Sequence, residues 1–325
     1  MIISRTPFRV SFVGGGTDLP YFYREHDGCV VSMSINRYSF LTMHRSFERH
    51  GYLLKYSKSE RVERIDQIEH RIIRAVFERY GIDGVDFASA SDVPAGTGLA
   101  SSSAFAANLI SLCDAYTGRS QSQLDIADGA CDIELNVLKE PIGKQDQYGC
   151  AVGGLKKIEF HKDDTVTVEP ILLTSKQRDR LESSIALIYC GGERSASSQL
   201  KIQQQNVASS VALIDNLKTM ARQAHDLSVA IRRDVDLLGD YLHEGWERKK
   251  RLSASVSNPK IDAMYAVARE AGATGGKLLG AGESGFLLVH APDRLDAVLD
   301  ALSEHKIERI KLDLEGTKIV YNDLA

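Results

Sequence analysis

The sequence predicts an α/β fold of the α+β kind, built from mixed sheets and helices, and three observations carry that reading. Strand-like alternation dominates the first sixty or so residues, a strand then meets a helix through a glycine- and serine-rich loop, and the chain closes on alternating helix and strand. Residues 9–13, 29–35, 39–45 and 52–56 read as strands, with Gly14, Gly15, Gly16 and Gly28 as breaks, which implies an early mixed or antiparallel sheet. Ile65, Ile68, Ile72, Val76 and Phe77 recur at helical spacing, and residues 85–90 alternate again before Pro94. A second helix continues to Tyr116. The SQSQ segment at 120–123 reads as a capping box that starts a third helix, ending near Leu138 before Pro141 and Gly143.

After Gly153 and Gly154 the pattern returns to strands. Residues 195–252 read as a helical pair with an architectural role, Val207, Val211, Ile214 and Leu217 forming one stripe. The remainder reads as a helix (261–271), a glycine-rich turn (275–285), a strand (286–290), a helix (294–303) and a closing strand pair. A soft boundary near residue 165 divides the chain into 1–165 and 166–325.

Composition excludes several classes of function. With 325 residues, 43% of them hydrophobic and 26% charged, the chain can bury a sizeable core and lacks the bias of a disordered or fibrous protein. Forty Lys and Arg against 44 Asp and Glu leave a net charge of −4, so no global positive field recruits nucleic acid or an anionic membrane. Any anionic ligand must be held locally. Cys29, Cys113, Cys131, Cys150 and Cys190 form no CxxC pair and read as reduced, buried thiols. Arg5 and Arg9 interrupt the apolar N-terminal stretch, and no window has the length of a membrane span, so a cytoplasmic protein without nucleic-acid or membrane partners is expected; a homodimer is left open.

The segment Pro94, Ala95, Gly96, Thr97, Gly98, Leu99, Ala100, Ser101, Ser102, Ser103 puts two glycines and three serines directly before a helix. Such a start offers unpaired N–H groups and the positive end of the helix dipole to an anion, although a plain capped helix has the same outline. A Walker A loop is excluded because no Lys follows Gly98. The run Gly280, Ala281, Gly282 to Gly285 meets a dinucleotide fingerprint in form but precedes a strand.

Glu134 lies at the stripe of Leu124, Ala127, Cys131, Leu135 and Leu138. A carboxylate there needs a metal ion, an Arg or Lys, a wet edge, or a surface ion pair. The turn GKQDQYG at 143–149 sets Lys144 and Asp146 between glycines and is either exposed or catalytic. At the start of the chain, a strand containing Arg9 runs into Gly14, Gly15, Gly16, Thr17 and Asp18, a bend suited to a polyol or to a tight Asx turn.

Together these segments resemble the three motifs of the GHMP kinases, the superfamily of galactokinase, homoserine kinase, mevalonate kinase and phosphomevalonate kinase, over nearly the whole chain. The run RTPFRVSFVGGGTDLP, the turn GKQDQYG and GGKLLGAG resemble most the D-glycero-D-manno-heptose 7-phosphate kinases, with fucose-type kinases next. Two departures stand out: Ala100 where the family commonly has Gly, and Glu283 and Ser284 in place of glycines in the third motif.

The resemblance implies two lobes with the active site in the cleft between them, and an ATP- and Mg²⁺-dependent sugar kinase. Its implied reaction phosphorylates the anomeric C1 hydroxyl of D-glycero-D-manno-heptose 7-phosphate to the 1,7-bisphosphate, toward nucleotide-activated heptose. Residues 94–103 would wrap the ATP phosphates, Ser102 and Glu134 would hold Mg²⁺, and Asp146 would serve the attacking hydroxyl. Arg9 would stabilise transferring charge or hold Asp146, while Gly15, Gly16, Thr17 and Asp18 would bind the sugar. Gly280, Ala281 and Gly282 would form the third motif. Arg194 is the candidate for the sugar's own phosphate, and Lys249, Lys250 and Arg251 read as a solvated helix face. The alternatives are a kinase of an unphosphorylated sugar of the fucose or galactose type, and a non-catalytic sugar and ATP sensor.

Overall fold

A computed structural model describes residues 1–192, 205–207 and 210–323. Its first sheet has eight strands: β1 (Ile2–Val13), β2 (Gly28–Arg45), β3 (Tyr52–Lys55), β4 (Ser59–Val62), β5 (Val85–Ser91), β6 (Leu155–Phe160), β7 (Val166–Pro170) and β12 (Lys318–Asn322). The second has four: β8 (Ile185–Gly191), β9 (Gly275–Leu278), β10 (Gly285–His290) and β11 (Ile307–Arg309). The first sheet runs β12-β1-β2-β5-β3-β4, with β6 and β7 attached beside β2, and only the β3–β5 pair is parallel. The expected mixed sheet is thus present. The second sheet, β11-β8-β10-β9, is antiparallel throughout.

Two of the expected strands are one. β2 runs unbroken for 18 residues, and its register against β1 shifts where Pro7 faces Tyr38 and Phe8 faces Ile35. The two extra residues are Asn36 and Arg37. Asn36 takes the Lys311 carbonyl and Arg37 grips Glu308, so the bulge is held by the far end of the chain. The β6–β7 hairpin spans the boundary near 165, and β12 returns to pair with β1.

Ten described helices complete the fold: α1 (Pro20–His26), α2 (Arg71–Tyr80), α3 (Ser101–Tyr116), α4 (Gln123–Cys131), α5 (Gln145–Ala151), α6 (Ser175–Ser184), α7 (Val211–Ala230), α8 (Leu238–Lys250), α9 (Pro259–Glu270) and α10 (Leu295–Ala301). The capping box before α4 sits two residues later than the sequence predicts, with Ser122 as cap and Asp125 closing it. Leu124 is exposed, and the buried face is Ile126, Ala127, Ala130 and Cys131. No described helix is long and apolar enough to cross a membrane. All five cysteines are buried and free.

Phe8, Val10 and Phe12 of β1 pack in one apolar cluster with Leu187 of β8, Leu288 of β10 and Leu238 and Leu242 of α8, so a shared core fixes the two sheets against each other. α8 lies almost in backbone contact with β9: a Cβ on Gly275 would fall 1.8 Å from the Gly239 carbonyl oxygen. Beside that contact His290 is fully buried, its Nδ1 2.7 Å from the Thr274 hydroxyl and its Nε2 without a partner among the described residues.

Burial pushes the His290 imidazole down from 6.5 to about 4. Between those values the unfolded chain binds a proton that the native chain refuses, so stability falls as pH drops from 6.5 to 4, by at most about 3 kcal/mol. Chemical denaturation of wild type and His290→Asn across this window is expected to show a shallower decline in the variant.

Candidate active site

β1 ends at Val13 and the chain turns back through Gly14 to Asp18. A Cβ on Gly14 would fall 2.0 Å from the Cys29 carbonyl oxygen, so the bend can press against β2 only with glycine there. Thr17 is fully buried; its hydroxyl donates to the Gly14 carbonyl at 2.8 Å and accepts from the Cys29 N–H at 3.0 Å. Thr17 therefore builds the bend, and Gly15, Gly16 and Asp18 line the cleft. Asp18 accepts from the Gly16 N–H at 3.0 Å and from Gln145 Nε2 at 3.0 Å; the expected Asx turn is not formed, because the residue two positions on is Pro20, which has no N–H to donate. Burial, followed by the Asp146 charge, raises its carboxyl to about 6. Gly143 has no room for a side chain, since its Cβ would lie 1.9 Å from the Asp18 carboxylate.

The loop after β5 enters α3 with no side-chain cap. Gly96, Gly98, Ala100 and the three serines line the cleft, whereas Thr97 ties the loop to the Pro94 carbonyl at 2.9 Å and Leu99 is buried in the core. Pro94, Thr97 and Leu99 thus shape the loop from behind. Ala100 occupies φ +66°, where glycine is favoured, so the departure from the family pattern costs about 1 kcal/mol of backbone strain although it takes little space. Glu283 sits at φ +62° in the same way.

The third motif braces this loop. A Cβ on Gly98 would lie 2.6 Å from the Leu279 carbonyl oxygen, and one on Gly280 would lie 2.5 Å from the Gly98 Cα. Gly280, Ala281 and Gly282 also line the cleft. The predicted glycine-rich turn is shorter than expected, because Gly275 and Gly276 belong to β9.

Glu134 is 1% exposed and stands on a π-helical turn, Asp132–Val137, rather than on the continuous α-helix expected from the stripe. Insertions of this type recur at functional sites. No cation meets it among the described residues. Its oxygens accept instead from the Ser102 hydroxyl at 2.6 Å, the Ser103 hydroxyl at 2.7 Å and Gln147 Nε2 at 2.6 Å. Burial raises its carboxyl above the ordinary range, against the pull of these three donors.

Asp146 is not on a turn but in the first turn of α5. Arg9, 3% exposed, reaches its Oδ1 with Nε at 3.1 Å and Nη2 at 2.7 Å, while Nη1 donates to the Gly98 carbonyl at 2.8 Å. One guanidinium therefore joins β1, the loop and α5. Lys249 overturns another expectation: instead of a solvated helix face it is buried, donating to the Leu278 carbonyl at 3.2 Å and to that of Gly280. Arg194 lies outside the described residues.

Arg9, Asp18, Ser102, Glu134, Asp146 and Lys249 line one cleft of about 630 Å³. Gln145, Gln147, Lys249 and Lys277 were not singled out as site residues by the sequence; Gln145 and Gln147 flank Asp146 and carried a signal only in that proximity.

A family model for the GHMP kinases N terminal domain matches residues 67–154, and one for the GHMP kinases C terminal matches 213–308. The chain belongs to the GHMP kinases. As a member of this family it is an ATP-dependent kinase whose acceptor is a hydroxyl group. It is 25% identical to a D-glycero-alpha-D-manno-heptose 7-phosphate kinase of Campylobacter jejuni over 98% of each chain. It is also 25% identical to a bifunctional fucokinase/GDP-fucose pyrophosphorylase of Arabidopsis thaliana, over 92% of this chain and 31% of that one. A solved D-glycero-D-manno-heptose 1-phosphate kinase from Bacteroides thetaiotaomicron shares the fold, with a TM-score of 0.81, 23% identity, and 99% of this chain and 100% of that chain covered.

The contact between Gly98 and the third motif can be tested against a glycine of similar conformation. Gly81 has φ +62° and open space around it, so Gly81→Ala is expected to cost only about 1 kcal/mol. Gly98→Ala forces backbone apart and is expected to lower ATP affinity by about tenfold or more, read by calorimetric titration beside a melting curve.

Proposed function

We propose that this GHMP kinase transfers the terminal phosphate of ATP to the anomeric hydroxyl of D-glycero-D-manno-heptose 7-phosphate, giving the 1,7-bisphosphate used toward nucleotide-activated heptose. The observation that carries this reading is the Arg9 fork, which holds Asp146 beside the Gly98 loop on one side and leaves Asp18 at the bend on the other. A donor phosphate at the loop and an acceptor hydroxyl at Asp18 then meet at Asp146. Likeness to the Campylobacter jejuni heptose 7-phosphate kinase along the full chain supports the choice of sugar.

In this reading the N–H groups at Gly98 and the start of α3 take the ATP phosphates, because the first turn of a helix has donors without intrahelical acceptors, while the Gly96 N–H is held by the Ser101 hydroxyl at 3.3 Å. The cleft wall also carries the apolar side chains Ile72, Phe105 and Leu138, beside His70, Arg71 and Glu140, a surface that suits a flat base with polar edges. Asp146 orients the attacking hydroxyl and accepts its proton. Arg9 holds that carboxylate and offers positive charge to the phosphoryl group in transit. Asp18, with Gly15 and Gly16, accepts from sugar hydroxyls.

Glu134 and Ser102 are the residues that would hold Mg²⁺. They fit it: a buried carboxylate with no cation beside it among the described residues and an adjacent hydroxyl form a hard-oxygen set too small for a full cage, as suits Mg²⁺, which usually keeps water and phosphate oxygens. Bound there, the ion would neutralise charge on the ATP phosphates.

Likeness to the Arabidopsis thaliana fucokinase supports a second reading, an unphosphorylated sugar as acceptor. A screen of heptose 7-phosphate, free heptose, fucose and galactose, with the product identified by NMR, separates the two; turnover confined to free sugars would overturn the first. Asp146→Asn is expected to lower kcat about 10²-fold or more, and a loss of only a few-fold would remove Asp146 from the chemistry. Glu134→Gln is expected to raise the Mg²⁺ concentration needed for half-maximal rate while leaving the melting temperature close to that of wild type. Equal losses of stability and activity would make Glu134 structural.

A further inference from the structure

Four Lys and Arg side chains are buried among the described residues: Arg9, Lys156, Lys249 and Lys277. An ammonium has three hydrogens to place, and an unmatched one in a dry site is costly. Lys156, away from the cleft, places all three, on the Ser34 hydroxyl at 2.9 Å and the Gly149 and Gly154 carbonyls at 3.1 and 3.0 Å. The two lysines that line the cleft do not. Lys249 has two acceptors, the Leu278 and Gly280 carbonyls, and Lys277 has one, the Phe12 carbonyl at 3.0 Å. Neither forms an ion pair with a carboxylate among the described residues, and both belong to the cleft wall.

Asp18, Glu134 and Asp146, carboxylates that share the cleft, are each held by other donors. Asp146 is already taken by Arg9, and Asp18 is tied to the Gly16 N–H and Gln145. Burial, then the neighbouring Arg9, lowers Lys249 to about 8; burial, then Lys249 and Arg9, holds Lys277 well below the ordinary lysine range. Three cations thus converge on one concave surface with donors left over. A dianion with several oxygens, such as a phosphate group, satisfies both the charge and the unmatched hydrogens.

We propose that Lys249 and Lys277 bind a phosphate group in the cleft, in addition to the loop N–H groups and Arg9. The inference rests on the phosphotransfer reading, which supplies two sources for that group: the terminal phosphate of ATP and the acceptor sugar's own phosphate. Lys249, which had the outline of an exposed helix face, becomes a binding residue because it is the one side chain of the last turn of α8 that is buried, against the Leu278 and Gly280 carbonyls at the end of β9.

The test uses Lys249→Gln and Lys277→Gln, whose amides can still donate to the same carbonyls but carry no charge. Calorimetric titration with ADP, the analogue AMP-PNP, heptose 7-phosphate and free heptose reads the effect, beside melting curves. Each variant is expected to lose about tenfold or more in affinity for one phosphate-bearing ligand, with ADP, free heptose and the melting temperature close to wild type. Loss toward AMP-PNP assigns the lysines to the terminal phosphate of ATP; loss toward heptose 7-phosphate assigns them to the acceptor. Lys249→Arg, which keeps the charge, is expected to regain most of the lost affinity. The proposal is overturned if AMP-PNP and heptose 7-phosphate both stay within about twofold of wild type, or if ADP and free heptose weaken as much as they do. If wild type binds no heptose 7-phosphate, the sugar reading fails, and the AMP-PNP measurement alone decides the lysines.

Discussion

A single guanidinium holds the site together. Arg9 leaves the middle of β1 and spends Nε and Nη2 on one oxygen of Asp146 and Nη1 on the carbonyl of Gly98, so three segments far apart in sequence share one planar fork. A lysine could not do this, because its point charge cannot meet a carboxylate and a carbonyl in a fixed plane. Space for the fork is made by Gly149, where a Cβ would approach the Arg9 Cγ to 3.0 Å. Removing Arg9 would leave Asp146 without its cation and the loop carbonyl without its donor, a loss larger than that of a surface pair.

Around that fork the site is stiffened by backbone meeting backbone. Gly98 against Gly280, Gly285 against Thr97 and Gly275 against Gly239 are contacts too close for any side chain, and they fix the loop, the third motif and α8 relative to one another. Such rigidity suits phosphoryl transfer, where the protein contributes placed charge and donors. The positive φ at Ala100 and Glu283 fits the same picture, since strained residues persist where surrounding contacts over-determine the chain.

Much of this was legible from residue order. The early antiparallel strands, the loop feeding α3 and the buried cysteines follow from local pattern, while the gathering of Arg9, Asp18, the serine loop, Glu134 and Asp146 into one cleft is what the resemblance to the GHMP kinases implied. Other features were hidden for definite reasons. The bulge at Asn36 and Arg37 is paired by residues some 270 positions later, so a local reading breaks the strand there. Asp146 looked like a loop residue because the helix carrying it is only seven residues long and begins between polar side chains. Lys249 looked solvated because charge in a last helical turn usually is.

The sequence by itself determined which chemical groups are present and which short backbone shapes they sit on: a glycine and serine loop before a helix, a strand ending in a glycine bend, and carboxylates at set distances from both. Those are properties of near neighbours, where propensity and spacing are sufficient. Only the tertiary structure decided the partners of those groups. Glu134 gained two hydroxyls and an amide instead of a cation, Thr17 turned inward to hold the bend, and Lys249 and Lys277 were brought to the cleft wall. Which side chain meets which across more than a hundred residues depends on how two sheets pack through one core, and that is a property of the whole chain.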